Sequence, residues 1–176
     1  ALAGGDPGDR LKVAGTALDA VMQSVYVGPE PLALRAEAYS IWASHDVRSG
    51  GDPVAHCRSS VADFDRLVAY APGEIAHHQG RALVRTIWGN ALLGRGDDPT
   101  GVLRAAIEDI DLLVRSTPGD PVGWVRRGRC HHALALWSGA KESYRSALDD
   151  YEQAAKLGAG KAVERDSIEC REKLGE

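Results

Sequence analysis

Between residues 53 and 116 the apolar side chains return every third or fourth position, as in Val61, Phe64, Leu67 and Val68, and again in Leu103, Ile107, Ile110, Leu113 and Val114. That interval gathers them on one face of a helix, and no stretch of the chain shows the sustained alternation of a half-buried strand. The punctuation agrees. Glu30, Asp52, Asp98 and Asp120 each stand directly before a proline. An aspartate caps the unpaired amides of a first helical turn, and proline at the next position loses nothing by lacking an N–H. Glycines at 50 and 51, 73, 94 and 96, 119, and 158 and 160 fall where helices should end. The pattern predicts about eight helices. An opening helix near 10–27 precedes three hairpins, 31–49 with 53–70, 75–94 with 99–116, and 121–137 with 140–157, and a closing helix near 161–174 follows.

The chain also repeats itself. Residues 35–74 align without a gap on residues 81–120, at a spacing of 46, with 14 of the 40 positions identical. Ile41 and Trp42 fall on Ile87 and Trp88, Asp52 and Pro53 on Asp98 and Pro99, and Asp63, Asp65, Leu67 and Val68 on Asp109, Asp111, Leu113 and Val114. A period of this size marks a stacked array of supersecondary units, with end helices serving as caps. The expected organisation is one domain, 1–176, with units at about 30–74, 75–119 and 120–158.

On the second helix of the third unit, Ala147, Tyr151 and Ala154 set a small residue, an aromatic four later and an alanine three after that. The earlier units place Ala106, Ile110 and Leu113, and Ser60, Phe64 and Leu67, in the same pattern, and both finish on a proline, Pro118 and Pro72. Trp124 and Gly128 form a further pair on a first helix. With these residues, roughly 30–158 resembles the tetratricopeptide repeat family. Its period is about 34 residues, whereas the units here are spaced by 46 and then about 41. The resemblance implies an all-α fold, a right-handed α-α superhelix of stacked helical hairpins, in which first helices line a concave groove that holds a peptide.

Composition narrows the function classes. A net charge of −4 gives no reason to expect nucleic-acid binding through bulk electrostatics. Charged residues interrupt every apolar stretch before the roughly 18 residues a membrane span needs, so the expectation is a cytoplasmic protein with no membrane partner. Arginine outnumbers lysine 16 to 5, and Ala and Gly are abundant, which hints at a bacterial source; Ala1 in place of Met suggests a module of a larger protein. Cys57, Cys130 and Cys170 lack the paired short spacing of a zinc or redox motif and are expected reduced and buried.

Candidate chemistry is sparse. The adjacent histidines His77 with His78 and His131 with His132 point about 100° apart on a helix, so neither pair grips a metal unaided. No phosphate loop, serine elbow or HExxH is present. Asp63 with Asp65 and Asp109 with Asp111 sit two apart and face different ways, so one acid of each pair is expected to reach a neighbouring helix or arginine. We therefore expect no enzyme activity, no cofactor and no metal. The most suggestive surface is the arginines of the first helices: Arg81 and Arg85 share a face, as do Arg126 and Arg129, and Asn90 adds an amide. Such side chains hold a peptide or its terminal carboxylate by charge-assisted hydrogen bonds. A plainer role, surface charge matched by nearby acids, stands beside it. Two function classes follow: a scaffold that binds a peptide or partner protein in the groove, or a small-molecule sensor or enzyme-associated helical domain with a pocket between hairpins, for which His131, Cys130 and Trp137 are the candidate lining.

Overall fold

The computed structural model describes residues 28–176 together with residues 13, 16, 17 and 20. The helix expected over 10–27 otherwise lies outside the described residues. Among those described, the fold is all-α, with seven α-helices against the eight or so expected and no strand. They are α1 (Pro29–Ser49), α2 (Val54–Tyr70), α3 (Ile75–Arg95), α4 (Thr100–Ser116), α5 (Pro121–Ser138), α6 (Lys141–Ala154) and α7 (Gly160–Leu174), with a π-helical turn at Ala155–Ala159.

The Asp–Pro signals act as the sequence implies. The carboxylates of Asp52, Asp98 and Asp120 accept from the amides of Val54, Thr100 and Val122 at 3.1, 2.8 and 2.9 Å. The first hairpin differs slightly: α1 starts at Pro29 rather than Pro31, with Gly28 as its cap, because Pro29 itself fits the first turn. Gly50, Gly96 and Gly139 end helices in the left-handed region, with φ of 76°, 74° and 70°. The junction after α6 also departs from expectation. Gly158, at φ 98°, takes the left-handed conformation there, whereas Gly160 opens α7 at φ −50°.

The chain divides into two compact units, Ala1–Ala91 and Leu92–Glu176, with the division falling within α3. In unit 1, α1 and α2 pack as a hairpin whose core includes Ala36, Ala43, Cys57, Phe64 and Leu67. Small residues line its seam, and Ser60 donates to the Ala36 carbonyl at 2.7 Å, a bond that requires closely approaching helix axes. Phe64 reaches on to α3, where a Cβ at Gly80 would lie 2.4 Å from its Cζ. In unit 2, α5, α6 and α7 enclose Ala135, Tyr144, Ala147, Tyr151, Val163 and Cys170. Gly128 does for Tyr151 what Gly80 does for Phe64: a Cβ there would meet the Tyr151 ring at 2.6 Å. The small–large–small positions of all three second helices are buried.

Candidate functional site

The first pair of candidate arginines is taken up by an acid. Arg81 Nη1 donates to Asp65 Oδ1 at 2.8 Å and Arg85 Nη2 to the same oxygen at 3.2 Å. The four-residue spacing puts both on the face of α3 turned to α2, where their side chains are 14% and 15% exposed while Asp65 is 50% exposed. Asn90 is exposed on α3 but lies five positions beyond Arg85, about 140° round the helix, so it does not join them.

The acid pairs divide their work between helices, as their two-residue spacing anticipates. Asp63, almost fully buried, takes both Arg35 Nε and Nη2 at 2.7 Å in a forked ion pair within its own hairpin, while Asp65 faces the next helix. Unit 2 builds the same device on Arg127, one of the first-helix arginines. Arg127 Nη1 donates to Asp111 at 2.6 Å, its Nη2 and Nε bind the buried Asp150 at 2.7 to 3.2 Å, and its guanidinium lies 4.8 Å from the centre of the Trp124 ring. The hydrogen bonds it donates to Asp150 push its pKa above the ordinary arginine value. Arginines 35, 81 and 127 are 46 apart, so the repeat itself carried the signal for this ladder.

Arg126 and Arg129, in contrast, share a cleft of about 290 Å³ between α5 and the start of α7, floored by Val122, Val125, Ala159 and Ala162. Arg126 Nη1 is buried without a hydrogen-bond partner. Arg129 is 53% exposed, 3.6 Å from Asp166 Oδ2, and makes one long bond of 3.5 Å to the Ala162 carbonyl. Two guanidinium groups over an apolar floor, neither firmly committed, form an anion-receptive surface.

A larger cleft, about 540 Å³, lies among α4, α5 and α6, bordered by Thr100, Arg104, Glu108, His131, Glu142 and Ser143. Of the three residues nominated for a pocket only His131 reaches it. Cys130 is fully buried, and Trp137 stands 38% exposed at the end of α5. Burial holds the His131 pKa below its ordinary value, against the opposing pull of Asp150, whose Oδ2 is 4.0 Å away.

His78 and the three cysteines are enclosed in the packing. His78 is buried with Nε2 3.0 Å from the Pro72 carbonyl. All three cysteines are buried outside any disulfide, and burial pushes the thiols of Cys57 and Cys170 up to about 12 and about 11, where a thiolate is scarce. A histidine that the sequence reading did not single out, His56, stacks on Trp42 at 4.1 Å and holds Asp46 at 2.6 Å through Nδ1, pinning the end of α1 to the start of α2. Among the described residues no group of three or more His, Cys, Asp or Glu side chains is placed to hold a metal, and no helix is long and apolar enough to cross a membrane. No protein-family model, curated protein or solved structure matches the chain.

Proposed function

We propose that this chain is a protein-interaction module that takes a carboxylate-bearing segment of a partner into the cleft between α5 and α7. The observation that carries the reading is Arg126 Nη1, a buried donor with no partner, beside the loosely held Arg129. A buried unpaired donor is destabilising by about 1–3 kcal/mol. A carboxylate would satisfy it and Arg129 together through charge-assisted bonds, while its stem packs on Val122, Val125 and Ala159. The reading treats the hairpins as tetratricopeptide-like units, on the strength of the buried seam of Ala147, Tyr151 and Ala154 and its counterparts on the earlier second helices.

A displayed peptide library with free carboxyl ends tests it. Selected sequences should be rich in Asp, Glu or a required free terminus, and Arg126→Gln with Arg129→Gln should abolish their binding without lowering the melting temperature. Selection of neutral, amide-tolerant peptides, or binding unchanged in the double variant, refutes the reading.

A second reading draws on the 540 Å³ cleft of α4, α5 and α6, whose volume suits a metabolite and whose border mixes hydroxyls with Arg104 and Glu108. Thermal stabilisation by a metabolite mixture, lost on Arg104→Ala, would favour a sensor over a scaffold.

A further inference from the structure

Unit 1 has its own cleft on the first-helix side, and its chemistry is the reverse of the anion-receptive one. It measures about 390 Å³ and is bordered by Glu37, Ser40 and Ile41 of α1, by Gly80 and Leu83 of α3, and by Phe64 of α2. Among the described residues that border it, the titratable ones are Glu37 and His77, and Glu37 is the sole carboxylate. The repeat explains the reversal. Gly80 and Leu83 occupy the positions that Arg126 and Arg129 hold 46 residues later, so α3 omits the two cations that α5 supplies. Glycine is required at 80 because a Cβ would lie 2.4 Å from Phe64 Cζ and 2.6 Å from Cε1. Its absence lets the aromatic ring come up against the α3 backbone at the cleft wall. Ile41 and Leu83 are both substantially exposed there.

We propose that this cleft binds an aliphatic chain ending in a cation, a lysine or arginine side chain of a partner peptide. The alkyl stem would cover Ile41 and Leu83. The cationic end would meet the Glu37 carboxylate in a charge-assisted hydrogen bond, near an aromatic ring whose quadrupole favours positive charge. An acidic or neutral side chain gains only the apolar part. This inference does not rest on the anion site of α5 and α7, and either can fail without the other.

Phe64 is the only phenylalanine in the chain, so incorporation of 4-fluorophenylalanine gives a single fluorine resonance at the cleft. The labelled full chain is titrated with Nα-acetyl-lysine methylamide and with its norleucine and glutamate counterparts. The lysine compound should shift the resonance saturably and bind roughly tenfold more tightly than the norleucine compound, while the glutamate compound should leave it unmoved. Glu37→Gln, at an exposed position, should remove the lysine preference with the melting temperature unchanged. Leu83→Arg, which restores the cation of the later repeat, should abolish binding. No saturable shift with the lysine compound, equal affinity for norleucine, or a preference that survives Glu37→Gln overturns the proposal.

Discussion

In unit 1 one carboxylate oxygen, on Asp65, takes up two guanidinium groups, Arg81 and Arg85, whereas in unit 2 one guanidinium, Arg127, takes Asp111 and Asp150 together. The clefts diverge as well: among the described residues Glu37 is the carboxylate bordering the unit 1 cleft, while Arg126 and Arg129 border the other. The ion pairs that join helices persist at a fixed spacing, while positions one or two residues away on the same first helices change sign. Side chains that hold the array together and side chains available for recognition therefore occupy different faces of each first helix.

Removing Arg127 is the strongest way to break this contrast. Arg127→Ala strands the buried carboxylate of Asp150 and frees Asp111, and should lower unfolding free energy by about 3–5 kcal/mol. Arg35→Ala strands Asp63 and should fall at the lower end of that range. Denaturant titration of both variants checks the order, and equal losses would mean that Asp111 adds nothing to the unit 2 cluster.

The two close glycine approaches sharpen it at smaller scale. Gly128→Ala drives a Cβ into the Tyr151 ring, which is fully enclosed. Strain of about 1–3 kcal/mol should outweigh the gain of up to about 1 kcal/mol that alanine brings to a helix interior. Gly80→Ala makes an even shorter contact, but Phe64 borders a cleft into which its ring can shift, so its net loss should be the smaller of the two. Thermal melts of the single variants decide the ranking.

The smallest effect is a pH slope confined to unit 2. Burial depresses the His131 pKa in the folded state below the 6.5 of a free imidazole. Below pH 6.5 the unfolded chain therefore takes up a proton sooner than the folded one, and stability is lost as pH falls from 6.5 towards the depressed folded value. His131→Gln should flatten that part of the profile. Denaturation midpoints of the wild type and the variant at pH 7.5 and 5.5 measure it, and an unchanged slope would show that His131 does not contribute.

Much of this architecture is written locally, in residues that act within a turn of themselves. Asp52, Asp98 and Asp120 bond amides two positions on, which is why the helix starts were legible to within a residue or two. The acid pairs were legible in kind, since a two-residue offset on a helix must aim Asp63 and Asp65 at different neighbours. Which arginine each acid finds was not, because Arg127 meets Asp150 across 23 residues and the choice depends on how helices close on one another. The site followed the same division. Arg126 and Arg129 share a face by their spacing, but the apolar floor beneath them includes Ala159 and Ala162, brought in by α7. The reversal between α6 and α7 was anticipated as a stop at two glycines, yet only Gly158 adopts the left-handed conformation, and a π-helical turn carries the rest.

Two of the inter-hairpin ion pairs, Asp65 with Arg81 and Asp111 with Arg127, join residues sixteen apart in sequence. That constant works as a splice rule. A second copy of residues 75–120 inserted after position 120 would again set an aspartate sixteen residues ahead of an arginine at both new junctions. The protein could thus be lengthened by whole hairpins without designing a fresh connection, and each added segment would bring another first helix whose outward positions are open to new side chains.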